Sequence, residues 1–390
     1  MVAKLAAPTL KREILQTTTD VTNIKIDISE TIDFLNPFDV PMLNMVGKDS
    51  LRTPCTQVKH EWMTDQDNPR AGTLASAYTA GSHVISLTSG ESKYLYVDDL
   101  ILADNINFQV VSLPTVGDDI VVRVIAGTDT TIASGAEWRL LSHAAPEAGS
   151  ARAEQKKTVI GRTYNYTQIM KDFAIISGTM EVISRYGYAS ERAYQEEKQM
   201  RKQLMDLEQS ILYGALSYDA GPPRRSTMGG LFQYVFLDGI AGGWETIKNA
   251  AGAAFDEKML NDKLQTMWEL GARPNFLMVN GTNKRRVSSW GLPFIRTTRG
   301  ECAIGSSIGV YESDFGTLDV VLNRNLRPAD VIIGDAAQIG IGPLVGRQFS
   351  SRELPATIDG RWFEILGEMT MEVHRPMIDF GWFYNTNVTF

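Results

Sequence analysis

The chain has 390 residues, of which 43% are hydrophobic and 22% are charged, and its formal net charge at pH 7 is −8. Such a composition is that of a globular protein long enough for two or three domains. The net negative charge argues against a surface whose main role is to bind nucleic acid phosphates. It does not exclude a container for nucleic acid, whose inner wall should bind only weakly. Two cysteines without a CxxC pattern indicate neither a disulfide framework nor a zinc site.

The N-terminal region reads as an arm. Residues 1–23 are polar and basic without a long apolar core, so neither a signal peptide nor a membrane span is expected there, and no later apolar run reaches membrane length. The segment IKIDISETIDFL at 24–35 is amphipathic and ends before a proline, where helical geometry is disfavoured. NPFDVPMLNMVGK at 36–48 predicts a turn and a short helix that packs on a core or on another subunit.

Two extended stretches frame the next region. VKHEWM at 58–63 alternates as a strand does. The polar run that follows, to residue 82, has little to bury and is interpreted as a limb leaning on another surface. Residues 156–170 are again extended, and we expect them to pair with 57–63 as two arms of one long hairpin.

Residues 83–143 are predicted to form a small β module near the tip of that hairpin. Turn residues separate short β-rich runs at close intervals, which is typical of a barrel or sandwich. The predicted strands are His83–Leu87, Tyr94–Val97, Ile101–Leu102, Asn107–Leu113, Asp119–Ile125, Thr131–Ile132 and Glu137–Leu141.

The longest helical pattern runs from Ser190 to Leu212. Ser190 is a good N-cap, Gly214 ends the helix, and about 1.5 Å per residue gives a length over about 30 Å. One face carries the stripe Ala193, Glu197, Met200, Leu204, Leu207 and Ile211, and the opposite face is charged, with Arg192, Glu196, Lys198, Arg201, Lys202, Asp206 and Glu208. It is interpreted either as a surface helix over a core or as a structural spine in an assembly.

The region 223–344 reads as a compact α/β or α+β domain. Asp256 caps a helix that ends at Gly271, and Phe276–Val279 is predicted to be a buried strand. A helix from Thr282 to Trp290 carries three basic residues, Lys284, Arg285 and Arg286, that could touch phosphate or form a solvated face. Residues 345–390 are β-rich and should dock back onto earlier elements, including the long helix.

No motif for chemistry stands out. The four histidines lie in four different segments without HxH or HxxxH spacing, and no GxSxG elbow or Walker lysine is present. The run GIGPLVG at 340–346 is interpreted as a turn. Catalytic residues, cofactors and metals are therefore not expected.

Several stretches, in their order, carry a family resemblance: DFLNPFDVPMLNMVGK at 33–48, VKHEWMTD at 58–65, NYTQIMKDFAIISGT at 165–179, AYQEEKQMRKQLMDLEQSILYG at 193–214, RPNFLMVNG at 273–281 and YESDFGTLDVVLNRNL at 311–326. The chain resembles tailed-phage major capsid proteins of the HK97 fold, particularly the phage SU10 group. The resemblance implies an α+β, HK97-like fold with an inserted β-barrel or β-sandwich module. It implies an N-terminal arm at 1–50, an extended E-loop at 51–170 containing the insertion at about 83–143, a P (peripheral) domain at 171–222 and 345–390 with its spine helix at 190–213, and an A (axial) domain at 223–344.

The same resemblance implies a mechanical function. Subunits would form hexamers and pentamers of an icosahedral virion shell, assembled in the host cytoplasm, that encloses packaged double-stranded DNA and touches it non-specifically. A separate scaffolding protein, a portal and decoration proteins are the implied partners, and no membrane is. Candidate inter-subunit contacts are Trp62, Arg70, Glu196, Lys198, Arg201, Lys202, Arg285 and Arg286. An encapsulin-type compartment and an enzyme with a β-barrel accessory domain are the alternatives.

Overall fold

The computed structural model describes residues 38–47, 50–65, 70–144, 160–183, 190–290, 309–355 and 359–388. The chain divides into two compact units, one formed by residues 61–163 and the other by the chain on both sides of it. The expectations for residues 1–37 and for the start of the extended stretch at 156–170 lie outside the described residues.

The strands are β1 (Lys59–Thr64), β2 (Ala71–Thr73), β3 (Val84–Ser86), β4 (Asp99–Ala103), β5 (Ile106–Ser112), β6 (Asp119–Ala126), β7 (Glu137–His143), β8 (Gly161–Tyr166), β9 (Gln168–Ile176), β10 (Ser217–Asp219), β11 (Arg225–Thr227), β12 (Ile247–Asn249), β13 (Phe276–Val279), β14 (Val310–Ser313), β15 (Gly316–Leu322), β16 (Val331–Gly334), β17 (Ile339–Pro343), β18 (Ser350–Leu354), β19 (Arg361–Val373) and β20 (Phe380–Tyr384). The α-helices are α1 (Pro41–Val46), α2 (Gly178–Val182), α3 (Glu191–Tyr213), α4 (Asp238–Gly242), α5 (Glu257–Glu269), α6 (Gly281–Trp290) and α7 (Pro376–Asp379).

The unit formed by residues 61–163 contains a six-stranded sheet in the order β2-β7-β4-β5-β6-β3. Its two edges meet, because Leu74 bridges Leu87 and the Ala75 amide donates to the Ser86 carbonyl at 2.9 Å. The sheet therefore closes into a small β-barrel, one of the two predicted architectures. Its interior is apolar and is filled by Leu74, Tyr78, Ile85, Leu87, Leu95, Ile101, Ala103, Ile106, Phe108, Val110, Ile120, Val122, Ile132 and Trp138.

The barrel begins earlier than the sequence predicted. Leu74 and Tyr78 belong to the polar run interpreted as a limb without a core, yet both are buried in the barrel. The Tyr78 ring meets Phe108 edge-on at 5.3 Å between centroids, and its hydroxyl donates to Asp129 Oδ1 at 2.9 Å. The barrel core therefore includes residues before the predicted start at about 83, because these two large side chains pack into it from an otherwise polar segment. The predicted strand at Tyr94–Val97 was also wrong, because Ser92–Tyr94 forms a 3₁₀ turn.

In the other unit, β19 is the long central strand of a sheet in the order β17-β19-β18, with β9 also paired to β19. Strands β1 and β8 pair with each other, which confirms the predicted hairpin arms. Helix α3 begins after Ser190, whose hydroxyl accepts from the Ala193 amide, and it packs on β9 and β19. The predicted return of the C-terminal strands to this helix is confirmed.

The apolar stripe of α3 is buried only toward its C-terminal end. Leu207 and Ile211 are fully buried, whereas Ala193 and Glu197 are exposed. Glu208, predicted on the charged face, is also fully buried, so that part of the helix prediction was wrong. Among the described helices, none is long and apolar enough to cross a membrane.

A second sheet of this unit has the order β12-β20-β16-β13-β15-β14. Strand β20 lies inside it, with Phe380, Trp382 and Phe383 fully buried, so part of the predicted peripheral segment 345–390 belongs with the predicted axial domain. Conversely, β17 pairs with β19, although 339–343 was assigned to the axial domain. Both strands therefore pair with strands from the other side of the predicted boundary at 344/345.

Candidate assembly site around the carboxylate row

Strand β19 carries three carboxylates on one face. Glu364, Glu368 and Glu372 alternate with residues such as Phe363 and Ile365, which point to the opposite face toward α3. All three glutamates are at most 2% exposed. A buried carboxylate is costly unless it is paired and hydrogen-bonded. We call these three residues the carboxylate row.

Glu364 joins the two strands beside β19. Lys171 Nζ on β9 lies 2.6 Å from its carboxylate, and Arg352 on β18 donates to the same group. The hydrogen bond from Lys171 is the main reason why the pKa of Glu364 is lowered. The carboxylate therefore stays charged and fixes β9 and β18 to the central strand.

Glu368 gathers residues from three more segments. Arg347 Nε lies 2.7 Å from it, Arg224 Nη2 lies 3.4 Å away, and the Thr167 hydroxyl donates to it at 2.5 Å. Thr167 lies between β8 and β9, where the limb returns to the sheet. Glu368 thus ties the returning arm of the limb to β19.

Glu372 holds the outgoing arm. His60 Nε2 on β1 lies 2.5 Å from Glu372 Oε1, and His374 Nε2 lies 2.9 Å from Oε2. Burial alone would raise the pKa of Glu372, but the hydrogen bonds from His374 and His60 outweigh it and lower that pKa to about 2. Hydrogen bonds with Cys55 and then with Glu372 raise the pKa of His60 to about 9. At neutral pH the pair is therefore an imidazolium on a carboxylate.

These contacts hold distant segments of the chain together. The Cys55 thiol is fully buried and donates to the Gln57 carbonyl at 3.1 Å, so it is not presented to a substrate. In the part of the chain that the structure describes, no group of three or more His, Cys, Asp or Glu residues could hold a metal ion. The carboxylate row fixes His60 and Thr167, which lie on either side of residues 61–163 in the sequence, to β19.

Glu208 anchors the start of the described chain in a different way. Its carboxylate accepts from the Met42 and Leu43 amides at 3.0 and 2.9 Å, at the N-terminus of α1, and from Asn323 Nδ2 at 2.8 Å. These three hydrogen-bond donors are neutral groups. Burial raises the pKa of Glu208, and the hydrogen bonds from the two amides lower it only in part. This residue connects α1, the spine helix and the loop after β15.

Comparison with known proteins decides the family. A sequence profile described as SU10 major capsid protein matches residues 14–378. The chain belongs to the SU10 major capsid protein family. It is therefore a major capsid protein, a subunit of a phage shell.

Solved structures agree in fold. The capsid protein of cyanophage A-1(L) is similar with a TM-score of 0.57 and 8% identity, over 96% of this chain and 100% of that one. The capsid of an empty GTA particle is similar with a TM-score of 0.53 and 10% identity, over 96% and 100% of the two chains. These likenesses show the HK97 fold. A search of curated proteins finds no match to the chain.

An encapsulin complex from Synechococcus elongatus PCC 7942 is similar over only 59% of this capsid protein and 78% of that chain, with 8% identity and a TM-score of 0.42. Neither fold nor function follows from so low a score. The family match therefore favours the phage capsid over the encapsulin alternative.

Two of the predicted inter-subunit contacts lie inside the capsid protein's own fold. Trp62 is buried. Arg286 is also buried, and it donates to Asn283 Oδ1 at 3.0 Å and to the Asn387 carbonyl at 2.6 Å. The interpretation of residues 284–286 as a solvated face was therefore wrong for Arg286, which ties α6 to the C-terminal segment.

Three further candidates on α3 make contacts within the chain. Glu196 accepts from Arg192 and from the Ser351 hydroxyl at 2.7 Å. Arg201 pairs with Glu197 at 2.7 Å, and Lys202 pairs with Asp172 on β9 at 2.6 Å. The contacts with Ser351 and Asp172 fasten the helix to its own sheet, whereas the Arg201–Glu197 pair lies within the helix.

Arg70, Lys198 and Arg285 are exposed, so they stay predictions as contacts between subunits. Sequence reasoning missed the carboxylate row and Glu208. The only signal for the row was the spacing of three glutamates by four in a strand with apolar neighbours, which reads equally well as a solvated strand face.

Proposed function

We propose that this capsid protein forms hexamers and pentamers of an icosahedral shell around a packaged double-stranded DNA genome. The family match over residues 14–378 carries this proposal. The mechanical role needs no catalysis, and we propose none. Assembly would take place in the host cytoplasm, on a separate scaffolding protein and around a portal, with decoration proteins as possible additions. The net charge of −8 suits an inner wall that touches DNA non-specifically without holding it tightly.

The carboxylate row gives this function a physical basis. Glu372 holds the outgoing arm through His60, and Glu368 holds the returning arm through Thr167. Buried, charge-assisted bonds of this kind fix one geometry. We infer that the row holds His60 and Thr167, which lie just outside the two ends of residues 61–163, against β19.

Electron microscopy of the purified protein tests the shell directly. We expect rings of five and six subunits or closed shells, in the presence of a co-expressed scaffold where one is needed. Monomers that form no ring or shell in any condition would contradict the proposal.

Charge reversal tests the exposed contacts. We expect Lys198→Glu and Arg285→Glu to lower the yield of shells without changing the melting temperature of the unassembled subunit. Lys258→Glu is the matched control, since Lys258 is an exposed helical lysine that pairs with Asp262 in its own chain. Equal shell yields from all three variants would remove Lys198 and Arg285 from the interface.

A further inference from the structure

Trp268 is an exposed aromatic residue near the C-terminal end of α5. It is 58% exposed, although its ring packs on that of Phe315 with 6.0 Å between the ring centroids. Phe315 directly precedes β15. Tryptophan is among the side chains that contribute most to binding at interfaces between proteins. An exposed indole that a second ring holds in position therefore indicates a surface that another molecule covers.

Three carboxylates lie beside the two rings in the chain. Glu269 follows Trp268, Asp314 precedes Phe315, and Glu312 lies in the same hairpin of β14 and β15. All three residues are exposed. We call these five residues the Trp268 patch, which combines aromatic rings with negative charge.

The chemistry of the Trp268 patch fits a guanidinium group. Arginine stacks over an indole through its positive charge, and it also donates hydrogen bonds to carboxylates. Arg273 is exposed in the turn before β13 and brings one positive charge to the same end of the sheet. Three carboxylates outweigh it, so the patch keeps a negative charge.

The opposite end of β15 carries the complementary residues. Leu322, the last residue of β15, is 45% exposed. Two residues later, the side chain of Arg324 is 64% exposed, and its Nε lies 4.0 Å from Asp39 Oδ2. An exposed pair at that distance contributes little, so it does not hold the guanidinium in place. Arg285, exposed on α6, adds positive charge on the helix that follows β13, the parallel neighbour of β15.

Arg324 and the Trp268 patch are too far apart to meet within one copy of the chain. The seven residues of β15 span about 23 Å at about 3.3 Å per residue, with Phe315 before one end and Arg324 beyond the other. Two different surfaces at opposite ends of one sheet make a head-to-tail contact between copies. Repetition of such a contact generates a ring when the rotation closes.

We propose that Arg324 of one copy binds the Trp268 patch of the next copy around the ring, with its guanidinium against the indole and the carboxylates of Glu269 and Asp314. Leu322 then covers the apolar edge of the two rings. This inference rests on the proposed function, because it needs copies arranged in hexamers or pentamers.

A carbodiimide crosslink tests the contact in assembled particles of the full-length chain. The reagent joins an amine to a carboxylate that lies against it, and Arg324→Lys supplies the amine while keeping the positive charge. We expect peptide mass mapping to find an amide link from position 324 to Glu269, Glu312 or Asp314 in rings or shells, and to find none in the unassembled subunit. The unchanged chain is the matched control, since its guanidinium forms no such link.

The contact is overturned if shells of the variant form without this link, or if position 324 is joined to carboxylates of another surface instead. A chain that forms no ring or shell in electron microscopy would overturn the proposed function and the contact with it. The two failures are therefore distinguishable.

Hydroxyl-radical footprinting of the unchanged protein gives a second measurement that needs no substitution. We expect Trp268 to be oxidised several-fold more slowly in assembled particles than in the unassembled subunit. Trp138, fully buried in the barrel, is the control and should react slowly in both states. Equal oxidation of Trp268 in the two states would show that no neighbour covers it and would overturn the proposal.

Discussion

The barrel of residues 70–144 and the sheet around β19 are stabilised by different interactions. The barrel interior is apolar and includes Phe108 and Trp138, while the face of β19 buries three carboxylates. Apolar burial is non-directional and tolerates many arrangements, whereas a buried carboxylate needs its partners at fixed positions. We infer that the barrel is stabilised by its own apolar core. The carboxylate row instead fixes the relative positions of segments that are distant in sequence.

The largest effect should follow from opening a cavity in the barrel. Phe108 is fully buried, so we expect Phe108→Ala to lower the free energy of unfolding of the barrel by about 4 kcal/mol. Val121→Ala, at an exposed position of the same barrel, is the control and should cost under about 1 kcal/mol. Urea titration of the purified subunit measures both free energies of unfolding. If Phe108→Ala destabilised the barrel and the unit that contains β19 equally, the two would not be stabilised separately.

The second-largest loss of stability should follow from removing the charge of Glu372 in the carboxylate row. Glu372→Gln leaves two buried imidazoles without their anion, and we expect a loss of about 3 kcal/mol from the unit that contains β19. Glu181→Gln is the matched control, because Glu181 pairs with Arg361 at the surface. Similar denaturation midpoints for the two variants would show that the row contributes little.

The pH dependence has a defined sign. The pKa of His60 is raised from 6.5 to about 9, so its stabilisation is fully present below 6.5 and is lost as pH rises through 9. The pKa of Glu372 is lowered from 4.5 to about 2, so its stabilisation is present above 4.5 and is lost as pH falls through 2. We therefore expect the stability to be constant between pH 4.5 and 6.5 and to fall by about 3 kcal/mol by pH 10. Urea midpoints across pH measure it, and a Glu372→Gln variant with the same alkaline loss would contradict the assignment.

The smallest effect should come from the surface of α3. Lys202 pairs with Asp172 but its side chain is 63% exposed, so Lys202→Ala should change the stability by about 0.5 kcal/mol or less. Lys198→Ala, on the same helix face, serves as the reference. A loss above about 2 kcal/mol would show that the α3 surface matters as much to the fold as the buried row.

The elements that could be predicted from sequence are those set by local rules. The caps Ser190 and Asp256 mark the starts of α3 and α5, and the close spacing of turns marks the barrel. Local rules could not show that Leu74 and Tyr78 enter the barrel, since their neighbours are polar. The long-range packing of β20 into the second sheet likewise has no local signal.

The burial and pairing of the three glutamates in the carboxylate row could not be predicted from the sequence, for a physical reason. Each glutamate looks like a solvated residue until its partner is known, and the partners of Glu372 and Glu368 come from positions as distant as His60 and Arg224. Glu208 was misplaced in the same way, because its donors are backbone amides of α1 that no side-chain pattern reveals.

Hydrogen exchange read by mass spectrometry on the full-length subunit tests the comparison most directly, with Phe108→Ala and Glu372→Gln measured side by side. We expect faster exchange confined to residues 70–144 in the first variant. In the second variant we expect faster exchange confined to β1, β9, β18 and β19. Faster exchange across both regions in either variant would contradict the claim that the barrel and the carboxylate row are stabilised separately.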